Sequence, residues 1–179
     1  VSACLQFARR YHLPVTARAG GHSYAGWSTG PGLVVDVTRM ATVHVDPATG
    51  TTTVGAGARL ADLHACVAAV GVSVPAGSCP TVGVAGLALG GGVGVTGRAY
   101  GLTSDAMVGA SVVTADGRVR DCAVEREPDL YWACRGGGGG NMGIVTSFTF
   151  RTAPATEVTL FYLAWPWARA ARVVDAWLG

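Results

Sequence analysis

SCPTVGVAGLALGGGVGVTG, residues 78–97, decides how the rest of the chain is read. Glycine alternates there with small apolar residues. The stretch lacks the bulk to pack a sheet or a helix well by itself, and a backbone this bare usually lies close against something else. Two further glycine clusters flank it, at 18–26 and at 136–143. Without a Cβ, backbone N–H groups can converge on an anion. One such cluster reads as a turn, whereas three on one domain point to a long phosphate-bearing ligand.

Gly92-Val93-Gly94-Val95-Thr96-Gly97 matches the G-x-G-x-x-G pattern of nicotinamide-binding folds. That pattern needs a β-branched strand before it, a helix after it and an acidic residue about 20 positions on. Here the preceding segment is too rich in glycine for a central strand, and Asp116 falls in an expected hairpin turn. The match is read as a coincidence.

Outward from this stretch, periodicity predicts a helix over 1–12, ended by Pro14, and a strand over 15–18 that runs into a glycine-rich loop over 19–32. A strand follows at 33–37. Strands at 42–46 and 51–55 flank the turn Pro47-Ala48-Thr49-Gly50. Residues 59–70 read as an amphipathic helix. Strands at 107–115 and 118–124 meet at Asp116-Gly117, a strong hairpin signal. A short helix over 127–134 has Pro128 at its start. Strands are expected at 143–152 and 158–164, then a helix over 168–178. Irregular alternation with several hairpins implies an α+β fold rather than a doubly wound sheet.

Composition narrows the function. The 179 residues are 50% hydrophobic, enough for a core. Only 13% are charged, against about 25% in an average soluble domain. Either much of the surface is covered by a cofactor, partner or further domain, or the composition is biased towards small residues. All 13 basic residues are Arg, which excludes a Walker A loop and a Schiff-base lysine within this stretch. The net charge is +2 with no basic stripe, so nucleic acid is not an expected partner. Cys4, Cys66, Cys79, Cys122 and Cys134 form no C-x-x-C pair and no H-E-x-x-H occurs, so no metal site is expected. No apolar run is long enough to span a membrane, and the compartment is left open.

His22 lies within Arg18-Ala19-Gly20-Gly21-His22-Ser23, and Cys79 heads the central cluster before Pro80. A lone His is more often structural than functional, and a lone Cys is most often a small buried hydrophobe. A nucleophilic Cys needs both access and a lowered pKa.

These residues carry a family resemblance. Arg18, Ala19, Gly20, Gly21, His22 and Ser23, followed by Tyr24, resemble the R-x-G-G-H-S loop of FAD-linked oxidases with a PCMH-type (p-cresol methylhydroxylase) FAD-binding domain. Cys79, Pro80, Thr81, Val82, Gly83 and Gly86, continuing to Gly90, Gly91 and Gly92, resemble the C-P-T-V-G segment of the berberine bridge enzyme-like branch. Tyr100, Gly101 and Asp105 resemble its Y-G-L-x-x-D, and Gly143, Ile144 and Val145 close its final glycine run.

The resemblance implies an FAD-dependent oxidase of two α/β subdomains. It implies covalent flavin, bonded to a ring nitrogen of His22 and to the sulfur of Cys79, with the residues just named lining the cofactor. Residues 1–155 would be the FAD-binding domain and 156–179 the beginning of a substrate domain. The start of the first subdomain, the rest of the substrate domain and the catalytic base would lie outside this stretch, which alone is expected to be inactive. The implied partners are a carbohydrate or small secondary metabolite and dioxygen. Val82 would occupy the position that admits or blocks dioxygen, a small side chain favouring an oxidase over a dehydrogenase. Leu87 departs from the pattern, because some relatives carry His there. A flavin dehydrogenase and a non-catalytic flavin-binding module remain the alternatives.

Overall fold

The computed structural model describes residues 1–159 and 161–179. Helix α1 (Ser2–Arg10) leads through a turn at Tyr11 and His12 to β1 (Val15–Arg18), which pairs in parallel with β2 (Leu33–Asp36). A parallel pair needs a long crossover, and the loop over 19–32 supplies it. Strands β3 (Val43–Asp46) and β4 (Thr51–Gly55) form the expected hairpin. Its turn is held by the Asp46 carboxylate, which accepts from the Ala48 N–H at 3.0 Å and the Thr49 hydroxyl at 2.8 Å.

Helix α2 (Leu60–Ala68) buries Leu60, Leu63 and Val67, the stripe that its period requires. After β5 (Val72–Ser73) comes the glycine-rich stretch. It contains a helix the sequence did not suggest, α3 (Val84–Leu89), with Val84, Ala85, Ala88 and Leu89 buried. Just before it, at Gly83, the chain comes into contact with the backbone of Gly20. The G-x-G-x-x-G segment follows this helix rather than a strand and opens only the four-residue α4 (Gly97–Tyr100), so the nicotinamide-fold reading fails on context.

Next come α5 (Thr103–Ala106), β6 (Met107–Val113), β7 (Val119–Cys122), α6 (Pro128–Cys134) and β8 (Ile144–Arg151). A short β9 (Ala153–Pro154) pairs with β5. The main sheet is antiparallel in the order β3-β4-β8-β6-β7. Central strand β8 places Phe148 and Phe150 on one face, stacked at 5.6 Å and fully buried. Each contributes about 1.5–3 kcal/mol through burial. The β6–β8 register slips between Ser111 and Val112. Such a bulge re-aims side chains, and both Ile144 and Val145 at the start of β8 are buried beside the cleft described below.

The strand expected over 158–164 is absent at 158–159 and 161–164; residue 160 lies outside the described residues. Val158, Phe161, Tyr162 and Leu163 are instead exposed. The apolar residues are present, but among the described residues no strand pairs with them, and a strand without a ladder partner leaves its N–H and C=O groups unpaired. A helical turn at Trp167–Arg169 then leads into α7 (Ala170–Leu178), the helix expected over 168–178.

Candidate functional site

The three glycine clusters converge. Residues from all of them line one open cleft of about 880 Å³, towards the upper end of the ~300–1,000 Å³ typical of ligand and cofactor sites. Strand β1 and the loop after it supply Arg18, Ala19, Gly20, Gly21, His22, Ser23 and Tyr24. The turn before α3, and α3 itself, supply Val82, Gly83, Gly86 and Leu87. The loop into β8 supplies Gly138, Gly139, Gly140, Asn141 and Gly143, and β8 supplies Ile144 and Val145.

The first two clusters touch. A Cβ on Gly20 would fall on the backbone nitrogen of Gly83, and one on Gly83 would fall on that of Gly20. Glycine at both positions therefore lets two backbones cross where no other residue fits. The second cluster is also clamped from below. At the start of α2, Leu60 and Ala61 donate their N–H groups to the carbonyls of Val82 and Pro80, each at 3.0 Å. Val84 donates to Ala58 at 2.9 Å, and His64 Nε2 lies 2.9 Å from the Gly77 carbonyl, two residues before Cys79.

This clamp brings Cys79 to His22, 57 positions away in sequence. Thr81 links them: its Oγ1 lies 2.9 Å from His22 Nε2 and 3.7 Å from Cys79 Sγ. Cys79 is exposed. The Thr81 hydroxyl, then the Thr81 backbone N–H and that of Val82, hold its thiol below the usual value against a small opposing effect of burial. Access and a lowered pKa are the two conditions for a nucleophilic thiol. Cys122 and Cys134 are a contrast: both are buried, and the bond from Cys122 followed by burial pushes Cys134 far up. Arg18 adds positive charge at the mouth, only loosely paired with Asp36 at 3.9 Å.

Other predicted positions lie outside the lining. Cys79, Pro80 and Thr81 border it through His22. Gly90, Gly91, Gly92, Tyr100, Gly101 and Asp105 do not line it. The carbonyls of Gly91 and Gly92 accept from the N–H groups of Ser104 and Thr103, and Asp105 Oδ2 accepts from the Leu102 N–H at 2.9 Å. Asp105 also meets Arg135 at 3.4 Å. This segment binds itself. Gly138, Gly139, Gly140 and Asn141 fall in the cluster at 136–143 that the sequence singled out, whereas sequence reasoning missed Trp27 as a lining residue. The glycine run carried a signal, but Trp27, 81% exposed over the cleft, carried none.

The bare walls fit a long phosphate-bearing cofactor. Eight of the lining residues are glycines, whose N–H groups no Cβ shields. Among the described residues, no cluster of three or more His, Cys, Asp or Glu is placed to hold a metal.

Comparison with known proteins supports FAD as that cofactor. Residues 1–123 match the family described as FAD binding domain. An uncharacterized FAD-linked oxidoreductase of Bacillus subtilis (YgaK) is 38% identical over 97% of this chain and 40% of its own length. The solved berberine bridge enzyme-like 1 of Physcomitrella patens superposes with a TM-score of 0.82 at 40% identity, covering 86% of this chain and 34% of that one. Glucooligosaccharide oxidase from Acremonium strictum, whose FAD is described as 6-S-cysteinyl and 8α-N1-histidyl, gives 0.81 at 36% identity, covering 87% and 33%. The chain thus spans 40% of the length of two curated Bacillus subtilis relatives and less of other curated relatives, down to 21%. The mixed α/β architecture is that of the PCMH-type FAD-binding domain, and the chain belongs to the FAD-binding-domain family, alongside the berberine bridge enzyme-like FAD-linked oxidoreductases.

Proposed function

We propose that this chain is the cofactor-holding part of an FAD-linked oxidase that carries its flavin on two covalent bonds, to His22 and to Cys79. One observation carries this reading: at the edge of a glycine-walled cleft, an exposed thiol with a lowered pKa and an imidazole share one hydroxyl. The Acremonium glucooligosaccharide oxidase, which carries such a doubly linked flavin, supports it by likeness.

In this reading the crossing at Gly20 and Gly83 and the run at Gly139 and Gly140 offer backbone N–H groups to the pyrophosphate, held in place by the Gly138 N–H that donates to the Leu89 carbonyl at 2.8 Å, and Arg18 adds a cation. Ile144 and Val145 present an apolar wall to the ring and exclude water. When bound, the flavin accepts a hydride from a substrate carbon and passes the electrons to dioxygen, giving hydrogen peroxide. A carbohydrate or small secondary metabolite is the proposed substrate. The base that takes its proton lies outside residues 1–179. Val82 lies half-buried in the lining, and its small side chain is the feature that supports dioxygen access and an oxidase over a dehydrogenase.

Residues 1–155 form the FAD-binding unit and 156–179 begin the substrate-side domain. The exposure of Phe161, Tyr162, Trp165, Trp167 and Trp177 supports that division, because apolar patches of this size normally meet another surface.

Acid precipitation of the full-length protein tests the attachment. The washed pellet is expected to keep a flavin absorption spectrum and to lose it only in the His22→Ala, Cys79→Ala double variant. A colourless wild-type pellet with flavin in the supernatant refutes both bonds.

A further inference from the structure

We propose that Thr81 is a positioning residue whose single hydroxyl sets the reactive states of His22 and Cys79 together. The inference rests on the reading of these two side chains as flavin attachment points. It begins with hydrogen-bond arithmetic. A threonine hydroxyl has one hydrogen to donate and lone pairs to accept with. Oγ1 is within hydrogen-bond reach of His22 Nε2, at 2.9 Å, and of Cys79 Sγ, at 3.7 Å. It can donate to only one of them.

Two arrangements satisfy all three atoms. In one, Oγ1–H donates to sulfur and Nε2–H donates to Oγ1. In the other, Oγ1–H donates to Nε2 and the thiol donates to Oγ1. The first is favoured as sulfur becomes a thiolate, because hydrogen bonds to charged acceptors are the stronger ones. It biases both side chains at once: the hydroxyl's bond favours the thiolate form of sulfur, and the proton on Nε2 leaves Nδ1 with the free lone pair. A proton on one side chain is therefore felt by the other, 57 positions away.

The chemistry balances. Cys79 loses its thiol proton and bonds to flavin C6, which loses its hydrogen. His22 bonds through Nδ1 to the 8α carbon; the methyl loses one proton and the Nε2 proton departs towards Oγ1. Each bond releases two electrons and two protons, which dioxygen takes up as one hydrogen peroxide. The loop supports the geometry, since Val82 N–H donates to the Cys79 carbonyl at 3.2 Å and the Pro80 and Val82 carbonyls are pinned by α2. Thr81 is itself exposed, so replacing its hydroxyl by a methyl leaves no cavity or strain in the core.

The test uses full-length apoprotein from riboflavin-starved cells. The rate of Cys79 alkylation by iodoacetamide is followed by peptide mass across pH. Thr81→Val is expected to slow Cys79 alkylation about fivefold at pH 7, the size of one lost hydrogen bond, and to move the profile to higher pH, while Thr81→Ser keeps the wild-type profile. A Thr81→Val profile that superimposes on wild type overturns the proposal. The histidine side is read in flavin-replete protein with Cys79 replaced by Ala, where only His22 can hold flavin. In that background Oγ1 is left to accept from His22 Nε2–H alone, so adding Thr81→Val is expected to lower acid-stable flavin, and an unchanged yield overturns the role of Oγ1 at His22. The His22→Ala, Cys79→Ala control separates the two failures. If that protein still holds acid-stable flavin, the attachment reading falls, whereas the thiol profile judges Thr81 without any flavin present.

Discussion

Two glycine-rich regions with equally specific motifs use their polar groups in opposite ways. Around the cleft, the loop after β1 and the turn before α3 cross at Gly20 and Gly83 and leave His22, Cys79 and Thr81 exposed to one another and to whatever enters. The segment from Gly90 to Asp105 turns inward. Its carbonyls at Gly91 and Gly92 accept from Thr103 and Ser104, and the Asp105 carboxylate caps the turn at Leu102 and meets Arg135. Both patterns belong to the same family, yet only one presents chemistry. A motif's glycines show that backbones come close; its partners in space show whether the approaching group is a ligand or the protein itself.

Matched alanine substitutions break or sharpen this contrast most strongly. Gly20→Ala puts a methyl into the Gly83 backbone. Gly92→Ala, at φ +79°, puts one into the buried Thr103 side chain. Both are expected to lower stability by about 1–3 kcal/mol, as overpacking and positive-φ strain do. Only Gly20→Ala should also lower flavin content. Thermal melting together with flavin-to-protein absorbance checks both. Equal flavin loss in the two variants would erase the distinction.

Asp105→Ala sharpens the inward-turned side. It removes the cap on Leu102 and the partner of Arg135, an expected loss of about 1 kcal/mol in denaturant unfolding, with flavin unchanged. The smallest effect is remote from both regions. Asp116, in the β6–β7 turn, is lowered from 3.8 to about 2 by the Thr114 hydroxyl, then the Arg118 N–H and Arg120. A carboxylate lowered on folding stabilises the protein above its unfolded value and loses that contribution as pH falls through the folded one. The loss is expected between about pH 4 and pH 2. Asp116→Asn should flatten that part of a stability-against-pH curve and leave the flavin spectrum untouched.

Much of the site was legible in one dimension because glycine, His and Cys occur in short runs whose spacing is rigid. Arg18, Gly20, His22, Gly83, Gly143 and Val145 all line the cleft where the motifs suggested. The reach of Trp27 over the cleft was not legible, since a surface tryptophan in a turn has no pattern. Nor was the inward role of Asp105, because a capping carboxylate and a ligand-binding one look alike in sequence.

The amino-acid sequence by itself determined the α+β class, the hairpins at Pro47 and Asp116, the buried stripe of α2 and the three glycine clusters. Period, turn chemistry and the missing Cβ are local properties, readable from neighbours along the chain. Only the tertiary structure decided that 158–159 and 161–164 form no strand, because a strand depends on a neighbour to complete its hydrogen bonds. Only it made a helix of Val84–Leu89, because burying Val84, Ala85, Ala88 and Leu89 against the rest of the fold stabilises a turn that local propensity does not announce. And only it joined His22 to Cys79 through Thr81, because a hydrogen bond between residues so distant in sequence exists only once the loops that carry them have crossed.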